Sequence, residues 1–391
     1  MGATGRHHGM DWLRIGAFGL LILYHVGMAF VPWAYEVKMV DPPLDWVTIP
    51  MFLTNPWRLS LLFLVSGYAS AAILGRNPVP GAFVRSRLAR LGIPLLFGMA
   101  VIVTPQPWVT LVSQHGYRHG FGWFLAHDYY RFQRIDGVAM PTWMHLWFVV
   151  YLIVYTLILG LLLKLPARWR ARGLGWAERV LAGPLLLPLP LLYIGLVRSL
   201  LPPGWSDTHA LVNDASAHAA YLFCFLFGAL LRRSEPLRAA IARQWPIAAV
   251  LAVIGYAFLA TCEVVWPGST PLPQGLYPVH RIFRTFEMWG AIVALIGIAD
   301  RYWNHDHRWR ATLAEGVFPF YIAHQTIIVV VGYWLLATAT SPFERFVILV
   351  AATAAGCWLF YDIGRRIGWL RPLIGLKGNR FDRLAEKLSK T

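Results

Sequence analysis

"DWLRIGAFGLLILYHVGMAF", residues 11–30, is apolar enough to cross a bilayer, yet it carries an arginine at its start, Arg14, and a histidine further in, His25. Both groups are expensive in hydrocarbon, so each needs a reason to be there. They lie eleven residues apart. On a helix that is about three turns plus roughly 20°, so both project from one face, separated by about 16 Å along the axis. Arg14 then sits at headgroup level and His25 near mid-bilayer, where an ionisable side chain marks a functional site by default.

The rest of the chain repeats this apolar theme. Of 391 residues, 57% are hydrophobic and 14% charged, with 19 Trp and 22 Phe, and the mean hydropathy is +0.52. Such a composition excludes a soluble protein. Apolar runs of spanning length recur from end to end, which predicts an all-α polytopic membrane protein with about ten transmembrane helices. They fall near 12–33, 52–75, 92–112, 143–164, 184–201, 215–231, 245–265, 281–299, 315–337 and 344–363. The first run lacks a small-residue cleavage site and continues into a loop, so it reads as a span rather than a signal peptide.

A net charge of +16 does not point to nucleic acid here, because 26 of the 35 Lys and Arg fall on alternate connections and the two ends. The positive-inside rule assigns those stretches to the cytoplasm, with the N- and C-termini. Residues 1–391 read as a single membrane domain without internal repeats, and residues 364–391 as a basic cytoplasmic tail at the lipid headgroups. Cys224, Cys262 and Cys357 are scattered, so neither a disulfide nor a metal site is expected. On the opposite side, loop 113–142, rich in His, Tyr, Trp and Arg, reads either as an interfacial amphipathic helix or as a sugar-stacking surface.

Further polar groups accompany His25. Arg58 opens the second span in "NPWRLSLLFLVSGYA", and Arg85, Arg87 and Arg90 stand in "RSRLAR" before the third. Arg87 and Arg90, three apart, share a helix face and could grip one phosphate, plain positive-inside charge being the alternative. His145 begins the fourth span, and Glu287 lies in the eighth. "AEGVFPFYIAHQTIIVVVGYW" sets His324 at mid-depth of the ninth, with Tyr321 on its face and Glu315 nearer the inner end. Two intramembrane histidines above a cytoplasmic arginine cluster fit a relay for a substrate carrying phosphates on the inside. The reach from Arg14 to His25 is comparable to a pantetheine arm, so coenzyme A could bind its phosphates at the inner arginines and thread a thioester upwards.

The order and depth of "R", ten residues, "H", then "WRLSLLFLVSGYA", "RLARLGIPLLFG", "HLWFVVYLIVY" and "FYIAHQ" resemble the acyltransferase 3 family of integral membrane O-acyltransferases. Within it the chain is similar to the branch that succinylates osmoregulated periplasmic glucans, through "VRSRLARLGIPLLFG" followed by "TPQ" and the ending "YDIGRRIGWLRPLIGLK". The resemblance implies transfer of an acyl group from cytoplasmic acyl-CoA to a saccharide hydroxyl outside a bacterial inner membrane. It makes His25 the essential first-span histidine, Arg14 the opening arginine of its motif, and Arg87 with Arg90 the paired arginines on the acyl-CoA side. The candidates are therefore His25, Arg14 and His324 for catalysis, and Arg14, Arg85, Arg87 and Arg90 for acyl-CoA. For the acceptor they are Arg58, His145, Glu287 and Tyr321.

Succinyl-CoA is the donor the branch implies, and Arg58, Arg281 or Arg284 could meet its extra carboxylate; acetyl-CoA stays open. No metal and no nucleic acid is expected, while a second copy or glucan-synthesis proteins are expected partners besides the bilayer. The ninth span reads "AHQT" where the branch pairs two histidines before a proline. No hydrolase-like domain is expected after the last span, so the acceptor meets the membrane part itself. His25 would act as general base or carry the acyl group itself. At mid-bilayer a neutral imidazole is the cheaper form, and it is the one that accepts a proton. The competing reading is a proton-coupled transporter or flippase with His25 and His324 as relay, although such proteins are usually built from paired repeats.

Overall fold

The computed structural model describes residues 7–76, 79–200 and 208–378. The basic tail beyond 378 and residues 202–207 lie outside the described residues. The helices are α1 (His8–Met28), α2 (Thr48–Phe52), α3 (Arg58–Arg76), α4 (Pro80–Phe97), α5 (Pro105–His115), α6 (Phe121–Phe124) and α7 (Trp147–Leu162). They continue as α8 (Ala167–Leu181), α9 (Pro188–Leu200), α10 (Ala215–Leu231), α11 (Glu235–Val265), α12 (Tyr277–Tyr302), α13 (Arg310–Leu335) and α14 (Pro342–Arg366). Among the described residues the only strands are β1 (Arg134–Ile135) and β2 (Val138–Ala139), a two-stranded antiparallel hairpin. The all-α character read from composition is therefore found.

Among the described residues, six helical runs are long and apolar enough to cross a membrane: α3, Met144–Leu162, α11, Gln274–Tyr302, α13 and α14. Two further pairs qualify only jointly, Pro80–Ile102 with Pro105–His115, bent by 43°, and Ala167–Leu181 with Pro184–Leu200, bent by 92°. The described residues thus hold at most eight such spans where ten are expected. Two of the ten fall outside this count for separate reasons. Asp11, Arg14 and His25 dilute the apolar character of α1, and α10 has only 17 residues.

The chain forms two compact units. The first comprises residues up to 20, 48–84 and 154–314. Within it α11 and α12 pack along their length as a hairpin, and α3 lies against α10. Close approach of α3 and α10 depends on small residues: a Cβ on Gly67 would lie 1.8 Å from the Phe225 carbonyl oxygen, and one on Gly228 would lie 1.9 Å from that of Leu64. Membrane helices gain contact in this way because lipid supplies no hydrophobic drive between them. Stacked rings of Phe63 and Tyr221, centroids 4.7 Å apart, fill the same seam. The start of α1 is tied down where Arg310 donates to Asp11 at 2.6 Å and to Asp306 at 2.6 Å.

The second unit comprises residues 21–47, 85–153 and from 315 onward. Its architecture follows from two helix ends. Lys38 donates from Nζ to the carbonyls of Met28 at 3.1 Å, Val31 at 2.7 Å and Trp33, and so caps the C-terminal end of α1 just beyond His25. Between α4 and α5, Gly98–Ile102 widens into a π-turn in which Val103 N–H reaches the Gly98 carbonyl at 2.8 Å. Pro105 has no N–H to offer, so the backbone ladder breaks there and restarts as α5. Loop 113–142 is ordered, with Leu111, Phe124, Tyr129 and Met140 in a core of its own. Burial, with the hydrogen bond that Tyr117 donates to Asp128, pushes its phenol up to about 12.

Candidate active site

The π-turn and the proline break expose a carbonyl, and a network starts from it. Thr326 Oγ1 on α13 donates to the Ile102 carbonyl at 2.9 Å and accepts from Gln106 Nε2 of α5 at 2.7 Å. Gln106 Nε2 also meets His145 Nδ1 at 3.1 Å. The other ring nitrogen of His145, Nε2, lies 3.2 Å from the Tyr321 carbonyl and 3.1 Å from that of Ile322. Carbonyl oxygens only accept, so Nε2 carries the proton of His145 and Nδ1 is the acceptor. Tyr321 completes a reciprocal clamp by donating its hydroxyl to the His145 carbonyl.

This network fixes the part of α13 that bears His324, whose exposure is 0%. His324 Nδ1 lies 2.7 Å from the Tyr321 carbonyl, and its Nε2 lies 3.1 Å from Nδ1 of His25. The same rule sets the tautomers. His324 Nδ1 must donate to the carbonyl, so its Nε2 in the neutral ring accepts, and His25 Nδ1 donates to it. The lone pair of neutral His25 therefore resides on Nε2. The rings of His25 and His324 have centroids 5.0 Å apart, and those of His145 and His324 5.2 Å. Sequence reasoning singled out all three histidines and Tyr321, and the structure brings the four together within the second unit.

The arginines divide. Arg85, Arg87 and Arg90 also belong to the second unit. On α4, Arg87 is buried at 8% exposure and its Nε meets no hydrogen-bond partner, whereas Arg85 and Arg90 are exposed. Arg14, Arg58 and Glu287 belong to the first unit. There Arg14 donates to the Ala314 carbonyl at 2.8 Å and lies 4.0 Å from Asp11. Arg58 at the head of α3 and Glu287 on α12 are 5% and 2% exposed. Arg284 is drawn to Asn55 Oδ1 at 2.5 Å, and Arg281 donates to the Arg198 carbonyl at 2.8 Å.

Sequence reasoning missed four residues of the second unit: Gln106, Thr326, Gln325 and Glu36. The signal for two of them was the "AHQT" run itself, three polar side chains in succession inside an apolar span. Glu36 gives no local signal, since it stands in a loop; Gln325 Nε2 reaches its two carboxylate oxygens at 3.2 and 3.3 Å. Burial holds the Glu36 carboxyl above the usual carboxylate range. No group of three or more His, Cys, Asp or Glu is placed to hold a metal ion among the described residues.

The model of a family described as an acyltransferase domain, acyltransferase 3, matches residues 7–362. Curated relatives are "Glucans biosynthesis protein C" of Escherichia coli O1:K1 and of Escherichia coli O139:H28, each 27% identical over 101 residues. That match covers 26% of this chain and 26% of either relative's length. No solved structure matches the chain.

Proposed function

The chain belongs to the acyltransferase 3 family, a multi-pass membrane acyltransferase, and from that premise we propose that it moves an acyl group from acyl-CoA to a hydroxyl of a glucan or related saccharide. The donor would stand on the cytoplasmic side of a bacterial inner membrane and the acceptor outside. Succinyl is the favoured acyl group, as the resemblance to the glucan-succinylating branch implies, and the relatives' name supports a glucan acceptor.

The observation that carries this reading is the hydrogen bond of 3.1 Å between His25 and His324. It leaves His25 Nε2 as the basic atom and lets His324 steady the ring while charge develops, the arrangement required of a positioned general base. In the direct form of the reaction the acceptor O–H gives its proton to His25 Nε2 as the oxygen attacks the thioester carbon. The C–S bond then breaks, and the proton passes to the departing thiolate. His145 bonds the Tyr321 and Ile322 carbonyls and Tyr321 bonds the His145 carbonyl, which suits residues that hold the helix carrying His324. Arg87, a buried guanidinium with an unmet nitrogen, suits an anionic part of the donor.

The test uses purified protein with acyl-CoA and a glucan acceptor. His25→Ala is expected to lose turnover by about 10²- to 10⁴-fold while still binding coenzyme A, and Arg87→Ala to raise the acyl-CoA KM. Undiminished transfer by His25→Ala would overturn the role of His25. Proton-coupled flux with no dependence on coenzyme A would replace the whole reading by a transporter.

A further inference from the structure

Glu36, Gln325 and Tyr35 form a group that the acyl-transfer chemistry above does not use. Glu36 stands in the loop after α1, where Gln114 Nε2 donates to the carbonyls of Tyr35 at 2.8 Å and Glu36 at 3.0 Å. Ser113 Oγ adds a third donor to the Glu36 carbonyl at 3.2 Å. The backbone is therefore held rigidly while the side chains remain incompletely matched. Gln325 is 4% exposed, and its amide oxygen meets no hydrogen-bond partner. The buried Tyr35 hydroxyl also meets none. Lys38, the nearest cation in sequence, spends its ammonium on the carbonyls of Met28, Val31 and Trp33.

The two Glu36 carboxylate oxygens thus meet Gln325 Nε2 and their own backbone N–H, while the Gln325 amide oxygen meets no donor. Leaving buried acceptors unmet is costly, and natural proteins do so where a ligand completes the set. What completes an acceptor-rich, donor-poor cluster is a ligand bearing several hydroxyls, and Tyr35 can both give and take a hydrogen bond within it. Gln325 directly follows His324, the residue bonded to His25. We propose that Glu36 and Gln325, with Tyr35, bind the hydroxyl groups of the sugar ring whose neighbouring hydroxyl is acylated. The proposal rests on the acyltransferase reading and supplies the acceptor subsite which that reading lacks.

Glu36→Gln and Gln325→Ala test it in the full-length protein. Maltohexaose, laminarihexaose and cellohexaose serve as saccharide probes, with binding read by tryptophan fluorescence. At least one hexasaccharide is expected to bind the wild type and His25→Ala alike. Either subsite variant should weaken it by about tenfold or more, the scale of losing a hydrogen bond to a charged group. In turnover the acceptor KM should rise by a similar factor while the acyl-CoA KM moves less than about twofold. Unchanged saccharide binding in both variants, or no binding of any hexasaccharide to the wild type, would overturn the subsite. Binding that is lost in Glu36→Gln, in a protein that transfers no acyl group, would support the subsite and sink the acyltransferase reading instead.

Discussion

At the scale of single residues, the sequence was legible wherever a polar group interrupts hydrocarbon. His25 and His324 declared themselves because nothing but function or a specific partner repays an imidazole at that depth. Gln106 and Glu36 did not, because their meaning lies in partners far along the chain, Thr326 and Gln325 respectively. Glu36 also carries a pH signature. Burial raises its carboxyl above the usual range, with its own backbone, Gln325 and Lys38 acting in the opposite direction. The folded state therefore holds this proton more tightly than the unfolded chain, so the contribution of Glu36 to stability is fullest below the ordinary carboxylate pKa. It is lost as pH rises through the raised value. Glu36→Gln removes this dependence, so thermal unfolding at pH 4 and pH 8 should show the variant gaining on the wild type as pH rises. A gain in stability from a substitution that weakens acceptor use is the trade expected at a binding site. A melting-temperature difference that stays flat across that range would mean the carboxyl is not held as the structure has it.

At the scale of elements, apolar periodicity found the long helices but not their interruptions. The bends at Pro105 and around Pro184 and Pro188 split runs that hydropathy alone reads as continuous or assigns to loops, and α8 occupies a stretch expected to be a cytoplasmic connection. The helix seam between α3 and α10 is the feature most open to test. A methyl added at Gly228 would stand 1.9 Å from a backbone oxygen of Leu64, which no side-chain rotation can relieve. Gly228→Val should therefore part the two helices and cost about 3 kcal/mol or more, at the upper end of overpacking penalties. Gly75→Ala, on α3, the other helix of the seam, but with nothing within 4 Å of the new methyl, is the control. It should leave stability unchanged or raise it by up to about 1 kcal/mol through helix propensity. Melting temperatures of the two variants in one detergent compare these costs directly, and equal behaviour would remove the close-packed seam.

At the scale of the whole molecule, charge placement carries the topology, and α12 isolates the question. The connection before it, residues 266–276, contains no Lys or Arg, whereas Arg301, Arg308 and Arg310 cluster at its far end. The positive-inside rule then sets residues 266–276 outside and Arg308 in the cytoplasm. The donor side of the proposed reaction depends on this, since acyl-CoA is to arrive from the arginine-rich side. Ser269 and Arg308 are both exposed, and the three natural cysteines are buried thiols. In a variant with those cysteines replaced by alanine, Ser269→Cys should react with a membrane-impermeant maleimide in spheroplasts. Arg308→Cys should react only after the membrane is opened. The reverse pattern would turn the basic connections outward, that of Arg85, Arg87 and Arg90 included, and acyl-CoA could no longer reach those arginines from the cytoplasm. The hydrogen-bonded pair of His25 and His324 would survive such a reversal as chemistry, but donor and acceptor would have to exchange sides, and proton movement between the two faces would become the stronger account of that pair.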